Sequence, residues 1–338
     1  MTKALTLWLG TAALLLTTAA VSPPAHAEDF YAGKVISLYA GRPPGGGVDS
    51  EMRLVAQFLG ANIPGRPRVI AQNMPGAGGI VLGNYLYNVA PKDGLALAVP
   101  GRTAFLLAPV TGNANAKYQL PNFNWIGSAA SSNFILWIRK GAGINSLDEL
   151  RKTKKTLVIG GSGSGNSDTV VPELMAKYEN FPFKVVRGYP GTAEQALALQ
   201  SGEIDGMFTE RASFSSDPVA SGLAVPIFQT FPIEPGIPLS SDIATNPREK
   251  ALLALFEIPL HVGLAVVAPP GVSADKVKIL RDAYVKTVTS KEYIDLATKR
   301  GFGTGSPNTG ADLGEYLKQS MASVSQDVIT EFRQYTGD

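Results

Sequence analysis

The sequence predicts an α/β fold built on largely parallel sheets. Two observations point there. Short apolar, β-prone runs alternate four times with amphipathic helical patterns, and each strand-to-helix junction carries a loop rich in glycine or serine. The units recur without a fixed period, which excludes a solenoid.

The first unit is "VISLYAGRPPGGGVDSEMRLVAQFLG". Val35–Ala40 reads as a buried strand. Met52, Val55, Ala56 and Leu59 fall at helical spacing on one face. Asp49 is placed as the N-cap of that helix, with Arg53 one turn on, at ion-pair spacing. Gly45, Gly46 and Gly47 between them serve a tight turn or a close approach to a ligand. The second unit has a strand at Arg68–Gln72, a loop at Pro75–Gly79 and a helical face of Leu82, Tyr85, Leu86 and Val89. The turn "PKDG" ends it, and "LALAVP" is the next strand. The third has a strand at Thr156–Gly160, a loop at Gly161–Ser167 and a face of Val171, Leu174, Met175 and Tyr178. Pro172, a residue suited to a first helical position, stands inside that pattern. In the fourth, "FKVVRGYPGTAEQALALQSGEIDGMFTE", Thr192 and Gln195 have capping-box spacing, and a short strand follows.

The first residues read as a targeting segment. Lys3 precedes an apolar run that ends in Ala25-His26-Ala27, the pattern of a cleaved secretory signal peptide over 1–27. About 310 residues would remain, enough for two domains. Lys and Arg number 30 against 28 Asp and Glu, and loss of Lys3 brings the chain closer to neutral. No basic excess exists for nucleic acid. There is no cysteine, so a disulfide, a thiolate nucleophile, a Cys-bound metal and a lipid-linked terminus are all excluded. Of two histidines, only His261 would survive cleavage. The expectations are a soluble periplasmic protein, monomeric, with no metal and no cofactor.

In open α/β sheets, ligands lie beyond the carboxyl ends of strands, where helix N-termini point. The candidate contacts sit there. Backbone N–H groups of Gly45, Gly46, Gly47 and Val48 suit a carboxylate. So do Ser162, Ser164, Asn166 and Ser167 of the third loop, which otherwise only solvate it. Ala77 and Gly78 of the second loop and Gly191 of the fourth complete the backbone set. Arg42, Arg102 and Arg211 each follow a strand and can grip a carboxylate with paired hydrogen bonds; Arg211 can instead pair with Glu210 or a surface acid. Tyr189, Phe105 and Phe214 are candidates to stack on an aromatic solute, or belong to the core.

A serine hydrolase is the rival chemistry. The run "GGSGSGNS" invites it, yet no serine there has the flanking glycines of a nucleophile elbow, and His261 would be the only base. A dinucleotide site fails on glycine spacing.

Four segments, "PPGGGVDSEMR", "QNMPGAGGIVLGNYLYNVAPKDG", "GYPGTAEQALALQSGEIDGMF" and "GLAVVAPPGVSADKVKIL", occur in an order that resembles the Bug-type periplasmic receptors of tripartite tricarboxylate transporters. The resemblance spans essentially the whole chain after the signal peptide. It implies a two-lobed, type II, Venus-flytrap binding protein with its ligand cleft between lobes. One lobe would comprise 28–128 plus 261–338 and the other 129–260, with crossing strands near Trp125–Ile138 and Ile258–Val267. It implies a small carboxylated solute, a dicarboxylate or an aromatic acid, handed to a two-subunit inner-membrane permease. A receptor feeding a sensory partner is the alternative. Arg42 and the serine-rich third loop depart from the commoner pattern of that family and would line the cleft.

Overall fold

A computed structural model of the chain describes residues 30–304 and 307–336. The signal peptide expected over 1–27 lies outside the described residues.

Two sheets organise the molecule. The first has the order β11-β4-β10-β3-β1-β2, with β1 Val35–Ala40, β2 Arg68–Asn73, β3 Ala96–Val99, β4 Asn124–Ser128, β10 Val266–Ala268 and β11 Asn308–Thr309. The second has the order β7-β6-β8-β5-β9, with β5 Ile135–Arg139, β6 Leu157–Gly160, β7 Phe183–Val186, β8 Gly206–Thr209 and β9 Ala224–Gln229. We call the regions around them the first and second lobes.

The parallel core of each sheet comes from the strand–loop–helix units. β1 pairs in parallel with β2 and β3, with Leu38 beside Ala71 and Leu97. β6 pairs in parallel with β7 and β8. The sheets are mixed rather than largely parallel, because strands arriving from the other lobe run against this core. β10 is antiparallel to β3 and β4, and β5 is antiparallel to β8 and β9. Such strands need no crossover helix within their own sheet, so nothing requires them to be parallel.

The helices follow from apolar spacing. α1 (Gly47–Asn62) buries Met52, Leu54, Val55 and Leu59 against the first sheet. α2 (Ile80–Asn88) buries Leu82 and Leu86. Val89, expected on that face, lies past the helix end and is 71% exposed. α3 (Thr103–Thr111) had no signal in the sequence: it is apolar nearly all round and buried, so it shows no amphipathic period. α4 (Leu147–Lys152) follows β5 in the second lobe. α5 (Ser167–Tyr178) carries Pro172 in its interior and buries Val171, Leu174 and Met175. α6 (Thr192–Ser201) buries Ala198 and Leu199.

The first crossing between lobes runs from β4 to β5, in the region expected. The second differs. After β9 and α7 (Ser240–Ile243), the chain forms α8 (Pro247–Val262), so Ile258–Val262 is helical and only Val266–Ala268 is strand. Leu252, Leu255, Phe256 and Leu260 are buried in α8, which packs against α3, α5 and the C-terminal helices. A helix in contact with elements of both lobes accommodates this run better than an edge strand. α9 (Ala274–Val288), α10 (Lys291–Lys299), α11 (Gly310–Ser323) and α12 (Gln326–Thr336) complete the chain.

Candidate functional site

Four helices of the two lobes point their N-termini at one cavity. α1 and α3 come from the first lobe, and α5 and α6 from the second. Their N-cap residues are Gly46, Arg102, Asn166 and Gly191, and none of them closes its helix with a side-chain cap. Residues from each of the four junctions line the cavity. The Gly47 N–H is taken by Thr192 Oγ1 across the cleft. Helix starts without a side-chain cap otherwise leave N–H groups and a positive field directed at the cavity, so their convergence favours an anion.

Two expected caps are corrected. Asp49 is not the N-cap of α1. It lies in the first turn and reaches back to accept the Gly45 N–H at 2.9 Å. It also accepts from Arg53 Nε at 3.0 Å and from Asn73 Nδ2 at 2.8 Å, which ties the glycine loop to β2. These bonds, with Arg53, hold its carboxyl below the usual range although burial opposes them. Thr192 is not the cap of α6 either. Its hydroxyl accepts the Gly47 N–H of the other lobe at 3.4 Å, and Gln195 Nε2 donates to Asp168 at 2.7 Å. Gly46 and Gly191 take the N-cap positions, which leaves both side chains inside the first turn.

Arg42 and Arg102 both reach the cavity. Arg42 Nη2 donates to Asn166 Oδ1 at 2.9 Å, and burial lowers the pKa of its guanidinium. Arg102 Nε donates to Ser132 Oγ at 2.7 Å, and its Nη2 pairs with Glu210. The Arg102 guanidinium lies 5.1 Å from the centre of the Phe134 ring. Thr103 Oγ1 and Ser167 Oγ share a hydrogen bond of 2.5 Å. Each of these contacts joins the two lobes.

The cavity also contains acids. Asp168, Glu194 and Glu210 line it, and no motif in the sequence places them there. Asp168 is satisfied within its own lobe by the Ser162 N–H and hydroxyl, each at 2.9 Å, and by Gln195. Glu210 is satisfied by Arg102. Glu194 Oε2 is buried without a hydrogen-bond partner. Behind Gly47, the Glu51 carboxyl is pushed up to about 8 by burial and then by Glu210, with Arg102 opposing.

Of the expected contacts, Arg42, Gly46, Gly47, Val48, Arg102, Ser162, Asn166, Ser167 and Gly191 line this cavity. Gly45 does not, since its N–H is turned to Asp49. Ala77, Gly78 and Ser164 line a neighbouring cavity. Tyr189 is turned away and donates to Glu203 at 2.5 Å. Arg211 is held by Glu234 and Asp217, with its guanidinium over Trp137 at 5.0 Å. Phe105 stacks on Tyr118 in the core, and Phe214 packs on Trp137. His261, the base the hydrolase reading would need, packs against Tyr316 with the rings tilted and is not among the residues lining the cavity.

No family model matches the chain. The UPF0065 protein in gbd 5'region of Cupriavidus necator is 28% identical over 200 residues. That match covers 58% of this chain and spans 59% of the relative's length. Among solved structures, the periplasmic binding protein BugD superposes with a TM-score of 0.70 at 16% identity, covering 90% of this chain and 98% of that one. MatC of Rhodopseudomonas palustris, with bound malate, gives 0.66 at 16% identity over 88% and 99% of the two chains. The R. palustris protein Rpa4515, with adipate, gives 0.68 at 17% over 90% and 98%. The resemblance to Bug-type receptors carried by the sequence motifs therefore extends to the fold.

Proposed function

We propose that the protein is a periplasmic solute receptor of the Bug type, which closes two lobes on a small carboxylate and delivers it to a two-subunit inner-membrane permease. The observation that carries this reading is the convergence of four uncapped helix N-termini, two from each lobe, on one cavity beside Arg42 and Arg102. The malate and adipate bound by proteins of this fold support the same ligand class. Among the described residues, no helix is long and apolar enough to cross a membrane, which is compatible with a free receptor.

In this closed arrangement the cavity leaves only about 50 Å³ for water-sized occupants. A solute therefore enters by parting the lobes across Arg42–Asn166, Thr103–Ser167 and Arg102–Glu210. Hinge opening of this kind is a standard response in two-lobed binders. The lobes are taken as 28–128 plus 261–338 and 129–260.

Isothermal calorimetry with a panel of mono- and dicarboxylic acids tests the reading. At least one acid should bind and raise the melting temperature, because a ligand that binds only the native state stabilises it by mass action. A panel in which no acid binds, while neutral or cationic solutes do, would overturn it.

A further inference from the structure

A second cavity of about 340 Å³ adjoins the first, and Asn166 lines both. Ala77, Ile80, Ala104, Leu107 and Phe332 give it an apolar side. Its remaining lining residues are glycines, an alanine, and neutral serine, threonine and asparagine; none is charged. The partition is thin. Asn166 is 5% exposed and is held by Arg42 at 2.9 Å. It lies close against Gly78, where a Cβ would stand 2.4 Å from that of Ala104 and 3.2 Å from Asn166 Oδ1.

The two chambers differ in chemistry. The first is narrow, carries both arginines and receives the helix N-termini. The second is larger and uncharged. A carboxylate placed in the second would meet no cationic side chain in its lining, which makes its desolvation costly. Arg187, which reaches Ser164 Oγ at 3.4 Å, is already paired with Glu173, and Arg333 Nε is spent on the Thr111 carbonyl. An apolar group there would gain from burial.

We propose that the second chamber holds the uncharged tail of the solute whose carboxylate lies in the first, so that the receptor selects monocarboxylic acids with an apolar tail over dicarboxylic acids of the same length. The inference rests on the carboxylate reading above. Asn166 is then the side chain past which the solute extends, and Ala104 and Leu107 meet its tail.

Hexanoate and adipate form a matched pair that differs at the far end, and acetate probes the head alone. Calorimetry on the intact protein should show hexanoate binding at least about tenfold tighter than adipate. Ala104→Leu, which narrows the second chamber, should remove that advantage and leave acetate unchanged, with an unaltered melting temperature confirming the fold. Adipate binding as tightly as hexanoate overturns the inference and leaves the carboxylate reading standing. So does an Ala104→Leu protein that loses acetate and hexanoate alike. If none of the three acids nor benzoate binds, the carboxylate reading itself fails, and this inference with it.

Discussion

Arg102 and Glu210 lie 108 positions apart in sequence, belong to different lobes, and pair directly in the cavity. Arg102 is 8% exposed and Glu210 13%, so the pair is largely withdrawn from water. Glu210 thus occupies a guanidinium that an incoming carboxylate would seek. Arg102→Ala should weaken binding of an acid by roughly 2–5 kcal/mol, as for loss of one partner of a desolvated charged pair. Glu210→Gln should tighten binding, since it removes the internal competitor. Calorimetry on both variants measures this; weaker binding by Glu210→Gln would mean that Glu210 contacts the solute itself.

Arg211 gives the contrasting result. Its partners Glu234 and Asp217 are on its own lobe and partly exposed. Arg211→Ala should leave solute binding at the wild-type value and cost stability on the order of 1 kcal/mol. Calorimetry and denaturant unfolding together read the two effects.

Gly46 has an ordinary extended backbone, φ −82°, so a side chain there is not strained. A Cβ would, however, lie 2.9 Å from Thr192 Oγ1 on the other lobe. Gly46→Val should therefore obstruct closure, weakening solute binding at least about tenfold. Unfolding free energy should stay within about 0.5 kcal/mol of wild type. A variant that binds as wild type would show that this edge of the cleft does not close on the solute.

Glu51 makes stability depend on pH. Its folded pKa, about 8, lies above the ordinary carboxyl value. Between those two values the native state keeps a proton that the unfolded chain has released, so stability falls as pH rises through the window. Glu249, pushed up to about 8 by burial and then by Glu179, adds in the same direction. Glu51→Gln should flatten the decline in unfolding free energy, read from denaturant curves between about pH 5 and pH 8, by on the order of 1 kcal/mol per pH unit.

Glu331 on α12 works in the opposite direction. Burial raises its pKa, but hydrogen bonds from Tyr178 at 2.6 Å, Lys177 at 2.9 Å and Arg248 outweigh this and hold it at about 2. Its stabilisation is present above the ordinary carboxyl pKa and is lost as pH falls toward 2. The same helix touches the first lobe, where Arg333 Nε donates to the Thr111 carbonyl at 2.6 Å. Glu331→Gln should cost about 2 kcal/mol at neutral pH. That difference should shrink in unfolding curves recorded near pH 3.

The strand–loop–helix units were legible because each is written in local periodicity. Ile36, Leu38 and Ala40 alternate inward, and Met52, Val55 and Leu59 return every turn, so their buried faces follow from spacing alone. The glycine loops were legible for the same reason, since they interrupt those patterns at strand ends. Tertiary structure decided what local pattern does not encode. Strand direction in β5 and β10 depends on which lobe the chain arrives from. Asp49 and Thr192 lose their capping roles because the helices begin at Gly47 and just after Gly191, a choice set by the loops packed around them. Arg42, Arg102 and Arg211 look alike in sequence, each following a strand. They separate only when Asn166, Glu210 and Glu234 come into reach across distances of 124, 108 and 23 residues. Hydrogen bonds and ion pairs alike depend on distance in space, not along the chain, so only the packed structure could assign each arginine its partner.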